Sequence, residues 1–184
     1  MADHLRLFLG IKIPQDLSRE LEAFCKQYSE ESNIKWIPPH QFHITVYFFG
    51  GVRVEMIDNL KALLELSLKN RPTFELQLDK LAWGPTNKNR RMIWAKFIKR
   101  DEFRELVSHI HTHYLQIHPE QQIRKSPLPH ITLARLKNDE LERDIELNYY
   151  INQKKIKISE LTLWESKLTD NGPEYQEISH YTLK

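Results

Sequence analysis

The chain has 184 residues, 40% hydrophobic and 28% charged, the balance of a globular protein built as one compact domain or as two small lobes sharing a core. A formal net charge of +2 permits an anionic ligand but excludes the large positive field of a protein that coats long duplexes. A single cysteine, Cys25, excludes an internal disulfide and any Cys-x-x-Cys zinc site. The opening Met-Ala-Asp-His-Leu-Arg lacks the layout of a secretory signal, and no apolar run approaches the ~18 residues of a bilayer span. A reducing cytoplasm is the expected location, with no membrane partner.

Leu5 to Ile13 alternates as a strand does, and Pro14 closes it and suits the start of a helix. Leu17, Leu21, Phe24, Cys25 and Tyr28 then repeat at helical spacing, which makes Cys25 a small core side chain rather than a nucleophile. Ile34 to Ile37 is a short strand stopped by Pro38-Pro39. Phe42 to Phe49 is a further strand, ended by Gly50-Gly51. Regular alternation sends Phe42, Ile44, Val46 and Phe48 to one face and His43, Thr45 and Tyr47 to the other. Ile57, Leu60, Leu64 and Leu68 mark a second helix. Phe74 to Trp83 and Met92 to Ile98 read as an antiparallel pair across the polar link 84–90. Phe103, Leu106, Val107, Ile110, Tyr114 and Ile117 mark a third helix, followed by a polar loop over 119–129. His130 to Leu136 is a strand, 139–149 is weakly helical, and Ile156 to Leu168 and Tyr175 to Leu183 close the chain around the turn Asp170-Asn171-Gly172-Pro173. The expected class is α+β with largely antiparallel sheets in one domain over 1–184.

Two strands begin with the same tripeptide directly after prolines: Pro38-Pro39-His40-Gln41-Phe42-His43-Ile44-Thr45 and Pro127-Leu128-Pro129-His130-Ile131-Thr132. The similar placement in the two halves suggests an internal duplication. Residues two apart share a strand face, so His43 projects with Thr45 and His130 with Thr132. If the halves pack about a pseudo-two-fold axis, two imidazoles and two hydroxyls converge on one cleft. That set suits phosphoryl transfer without a metal. One imidazole removes a proton from the attacking oxygen, and the other donates one to the leaving oxygen. The hydroxyls can hold non-bridging phosphate oxygens. A five-membered cyclic phosphate fits, because opening it needs one activated water and one protonated leaving alkoxide.

The same residues resemble the two-histidine (2H) phosphoesterase superfamily, specifically the LigT/ThpR-type RNA 2′,3′-cyclic phosphodiesterases, historically called 2′–5′ RNA ligases. The stretches that carry the resemblance are Arg6 to Pro14, Ile34 to Gly50 with Trp36 and both motif residues, Arg91 to Trp94, Pro129 to Arg135, and Leu161 to Leu183 with Trp164, Ser166, Gly172, Pro173 and Tyr175. The resemblance implies a bilobal α+β fold: two pseudo-two-fold-related antiparallel lobes, helices outside and a cleft between. It implies RNA ends or related small phosphodiesters as substrate, no cofactor, and a product with a 2′-phosphate and a free 3′-hydroxyl. It makes His43 the proton donor to the leaving 3′-oxygen, His130 the acceptor that activates water, and Thr45 and Thr132 the phosphate holders. Many members have a basic residue where Tyr47 stands. With both motifs on one chain, a monomer is expected. Joining of RNA halves through a 2′–5′ bond would use the same site in reverse, and an RNA-end binding module without turnover is the alternative of another class.

Arg135 would add a forked phosphate donor. A regular strand from His130 puts it on the opposite face with Ile131 and Leu133, so it reaches the cleft only across a bend or a strand end. Tyr47 and Phe48 could stack on a base, with alternation favouring the cleft for Tyr47 and the core for Phe48. Lys88, Arg90 and Arg91 form one basic turn and Lys154, Lys155 and Lys157 another, either of which could steer RNA. His109 and His113 have a metal-compatible spacing, but no Glu-x-x-His context and no third ligand, and read as an exposed polar face. The five glycines form no phosphate-cradling GxxxxGK loop, so ATP is not implied.

Overall fold

The computed structural model describes residues 3–86, 89–119, 127–137, 145–147, 154–170 and 172–184. Its elements in chain order are β1 (His4–Lys12), α1 (Gln15–Lys26), β2 (Ile34–Trp36), β3 (His43–Arg53), α2 (Ile57–Leu68), β4 (Phe74–Thr86), β5 (Asn89–Phe97), α3 (Asp101–Tyr114), β6 (His130–Leu136), β7 (Lys155–Ile158), β8 (Glu160–Thr169) and β9 (Gly172–Thr182). The weak helix expected over 139–149 lies outside the described residues, apart from 145–147, which are neither helix nor strand.

The strands form one antiparallel path, β7-β4-β5-β6-β3-β1-β8-β9, with β2 added to β6. Along that path four strands lie on each side of the β6–β3 seam, and β2 is the ninth strand, off the path. The two sides have matching construction: a strand, a helix and an antiparallel partner, as β1-α1-β3 on one side and β5-α3-β6 on the other. The seam itself carries one registered pair, Ile44 with Ile131.

The helices form where apolar residues recur at helical spacing. Leu17, Leu21, Phe24 and Cys25 bury one face of α1, Leu60, Leu64 and Leu68 that of α2, and Phe103, Leu106, Ile110 and Tyr114 that of α3. Burial pushes the Cys25 thiol up to about 12, which keeps it inert. Helix α2 packs on α3 and β9, and α3 on β3. Leu7, Leu9, Ile44, Ile93, Ile131, Leu133, Leu161 and Leu163 are fully buried in the core.

Three strand expectations need correction. Ile156 to Leu168 is two strands, not one. A break at Ser159 lets β7 pair with β4 while β8 pairs with β1 and β9, so one apolar segment serves both sides of the sheet. Gly50-Gly51 does not end β3, which runs on to Arg53. Gly50 takes φ +79°, open to glycine at no steric cost, and the pairing with β1 continues through it. The 84–90 link is shorter than expected, because pairing persists to Thr86 and Asn89.

Candidate active site

The seam register builds the centre of the site. With Ile44 opposite Ile131 in an antiparallel pair, His43 falls opposite Thr132 and Thr45 opposite His130. The histidines thus occupy one diagonal of a square and the threonines the other. All four line one cleft of about 280 Å³, whose other walls include Arg6, Phe48, Trp94, Arg135, Ser166 and Tyr175. Among the described residues neither threonine hydroxyl has a hydrogen-bond partner, which leaves both to a ligand.

The imidazoles are held alike. His43 Nδ1 lies 2.7 Å from the Gln41 carbonyl and His130 Nδ1 2.8 Å from the Leu128 carbonyl. A carbonyl only accepts, so each Nδ1 carries a proton and donates it, and each Nε2 is the nitrogen left for chemistry. Aromatic rings fix the planes. Phe8, Trp164 and Tyr175 surround His43 at centroid distances of 4.9, 5.9 and 5.1 Å. Trp94 stacks on His130 at 4.0 Å. Glycines make room for both indoles: a Cβ on Gly10 would come within 2.8 Å of the Trp164 ring, and one on Gly84 would overlap the Trp94 ring.

Burial pushes both imidazoles below the ordinary histidine range. The carbonyl acceptors oppose that by favouring the charged form. Charge on His130 and Arg135 lowers His43 further, and Lys96 and Arg135 do the same to His130.

Bulges decide who else reaches the cleft. On β6, Ile93 pairs with Ala134 while Trp94 pairs with Thr132, so Leu133 is an extra residue. That extra residue flips the alternation and sends Arg135 to the cleft face, with its Nη1 3.5 Å from the Met92 sulfur. On β3, Leu9 pairs with Tyr47 while Gly10 pairs with Thr45, so Val46 is extra. Phe48 therefore lines the cleft, with the Arg6 guanidinium 4.7 Å above its ring. Phe48 and Arg135 each stand five residues after a motif histidine, and each is carried over by a bulge.

The expected faces of Tyr47 and Phe48 are thus reversed. Tyr47 packs against α3, its hydroxyl 2.7 Å from His111 Nδ1 and its ring 5.8 Å from that of Tyr114. Arg91 is exposed and is skipped by the register between Gly84–Met92 and Pro85–Arg90, away from the cleft walls. Of the second basic turn, Lys154 is committed to Asp16 at 2.7 Å, and Lys155 stands 3.8 Å from Glu75. Lys88 lies outside the described residues. His109 and His113 are half-buried rather than exposed, with His113 Nδ1 2.9 Å from the His109 carbonyl. Among the described residues no group of His, Cys, Asp and Glu is arranged to hold a metal. No helix among them is long and apolar enough to cross a membrane.

Arg6, Trp94 and the aromatic cage of His43 did not emerge as site residues from the sequence. A signal was present for two of them, because β1 alternation places Arg6 and Phe8 with Gly10 and Lys12 on its less apolar face.

Known proteins resemble the chain in sequence and in fold. The chain is 28% identical to the RNA 2′,3′-cyclic phosphodiesterase of Methanocaldococcus jannaschii, over 96% of this chain and 100% of that one. Its fold matches the crystal structure of TT0787 of Thermus thermophilus with a TM-score of 0.86, at 23% identity over 97% and 98% of the two chains. It also matches E. coli LigT complexed with 3′-AMP, with a TM-score of 0.76 at 20% identity over 99% of each chain. The model of one family covers residues 13–170, both motifs included, and by that match the chain belongs to the 2′-5′ RNA ligase superfamily.

Proposed function

We propose that the protein hydrolyses RNA 2′,3′-cyclic phosphate ends to 2′-phosphate ends by acid–base catalysis between His43 and His130, without a metal or other cofactor. The observation that carries this reading is the diagonal arrangement of the two histidines and two threonines around the Ile44–Ile131 pair. A water proton passes to Nε2 of His130 as the water oxygen bonds to phosphorus. The bond from phosphorus to the 3′-oxygen breaks, and that oxygen takes a proton from Nε2 of His43. Attacking and leaving oxygens stand in line, so the ribose lies on the His43 side and the nucleophile on the His130 side. Thr45, Thr132 and Arg135 hold the non-bridging oxygens, and the Arg135 fork stabilises charge as it builds. Phe48 offers a face to a base. The activity borne in the name of the M. jannaschii relative, and the nucleotide in the E. coli LigT complex, support this substrate class. Both motifs come from one chain, so a monomer suffices.

The test is incubation with a short RNA ending in a 2′,3′-cyclic phosphate, resolving 2′- from 3′-phosphate products. A 2′-phosphate product that persists in EDTA and disappears in His43→Asn and in His130→Asn is the expected result. A 3′-phosphate product, or activity lost to EDTA and restored by metal, would refute the mechanism.

A further inference from the structure

Two guanidiniums face the cleft, Arg135 from β6 and Arg6 from β1. Neither an aspartate nor a glutamate lines it among the described residues, and neither arginine has a carboxylate within ion-pair distance among them. Fixed cations without counter-ions hold a positive potential that an anion relieves. One phosphate held by Arg135 leaves Arg6 without an anion.

The strand register fixes where Arg6 acts. Arg6, Phe8 and Gly10 share one face of β1, and their partners on β3 are Gly51, Phe48 and Thr45. Gly10 therefore marks the row of Thr45, and Phe8, opposite Phe48, stands two residues further on, about 7 Å along the strand. Gly51 offers no side chain to meet Arg6, and the guanidinium lies back over the Phe48 ring, 4.7 Å from its centroid. Stacking of this kind sets the plane of a guanidinium and leaves its N–H edge to donate. Although exposed, Arg6 turns towards the cleft. Burial raises the Tyr175 phenol above its ordinary range, and the charges of Arg135 and Arg6 oppose that. Tyr175 itself stands edge-on to His43 at 5.1 Å.

A cation about 7 Å beyond the threonine row, on the ring that faces the base, matches the next charge of an RNA strand rather than the reacting one. The chemistry of the terminal nucleotide says which charge that is. Its 2′- and 3′-oxygens carry the reacting phosphate, so the only other phosphate on that ribose is attached through the 5′-oxygen.

We propose that Arg6, seated on Phe48, binds the phosphodiester on the 5′ side of the terminal ribose, which makes the site select RNA strand ends over cyclic mononucleotides. The proposal rests on the substrate class given above.

Three probes test it by calorimetric titration of the full-length protein. They are adenosine 2′-monophosphate, the 3′–5′ dinucleotide of adenosine with a 2′-phosphate on its terminal ribose, and that dinucleotide with a neutral methylphosphonate link. The wild type is expected to bind the charged dinucleotide at least about tenfold more tightly than the mononucleotide, and to lose that advantage with the neutral link. In Arg6→Gln the charged and neutral dinucleotides should bind alike, and Arg6→Lys should recover part of the difference. The readout is a ratio of affinities within one protein, so partial unfolding of a variant does not imitate it. A wild type that binds both dinucleotides equally, or an Arg6→Gln variant that still separates them as the wild type does, would overturn the proposal. A wild type that keeps the tenfold preference but opens no 2′,3′-cyclic phosphate would instead defeat the hydrolytic reading and leave Arg6 its role.

Discussion

Ile44 and Ile131 stand opposite each other at the one registered pair between β3 and β6, and both are fully buried. Neither touches chemistry. Their register nevertheless sets each histidine beside the other motif's threonine, because flanking residues in an antiparallel pair project together to the other face.

In the mechanism proposed above the two imidazoles share one concerted step, which predicts that their removal is not additive. His43→Asn and His130→Asn are each expected to lower kcat by about 10²–10⁴-fold. The double variant should lose little more than the worse single one. Single-turnover rates on a cyclic-phosphate RNA check this, with circular dichroism to verify folding. A double loss equal to the product of the two single losses would mean independent roles.

The pH dependence has a definite sign. Both imidazoles are lowered, chiefly by burial, so the bell-shaped kcat/KM profile of the free enzyme should peak on the acid side of about 6.5. A bound phosphate anion favours both imidazolium forms, so the kcat profile should lie at higher pH. Stability follows the same linkage. Near pH 8 both states hold neutral imidazoles and there is no penalty. As pH falls below about 6.5 the unfolded chain takes up protons first, and stability drops until the folded-state values are passed. Urea midpoints between pH 8 and 5 should show a fall that shrinks in the double His→Asn variant.

Arg135 and Phe48 reach the cleft through bulges and should affect different constants. Arg135→Met removes a charge-assisted donor and is expected to reduce kcat/KM by an amount equivalent to about 1.5–3 kcal/mol. Arg135→Lys should restore only part, since an ammonium lacks the fork. Phe48→Ala should raise KM for RNA at nearly constant kcat, by about 1–3 kcal/mol if a base stacks there. Tyr47→Ala, on the α3 side, should lower the melting temperature and leave KM unchanged. Equal KM effects at positions 47 and 48 would contradict the bulged register.

Gly84→Ala is expected to damage activity from outside the cleft. The added methyl meets the Trp94 ring that stacks on His130. Overpacking of this kind costs about 1–3 kcal/mol, and here the relief comes from moving the indole and with it the imidazole. Gly51→Ala has ordinary van der Waals room, with its nearest neighbour at 3.7 Å, and serves as the control. Comparison of kcat and thermal midpoint for the two variants checks this.

Periodicity and punctuation made much legible from the chain alone: three amphipathic helices, the main strands, and two His-Ile-Thr strand starts behind prolines. These are local properties, since a residue's face follows from its neighbours within one element. Face assignments held for His43, Thr45, His130 and Thr132 because no extra residue intervenes within either tripeptide. They failed at Tyr47 and Phe48, and Arg135 reaches the cleft only by the bend its place there required, because a bulge is fixed by the partner strand and leaves no mark on hydrophobic alternation. The break at Ser159 is of the same kind: β7 and β8 part company because β4 and β1 compete for one apolar segment. The pairing of Lys12 with Glu177 and of Lys154 with Asp16 likewise belongs to the tertiary structure. Charge balance depends on which distant residues meet, and only the pairing of strands decides that.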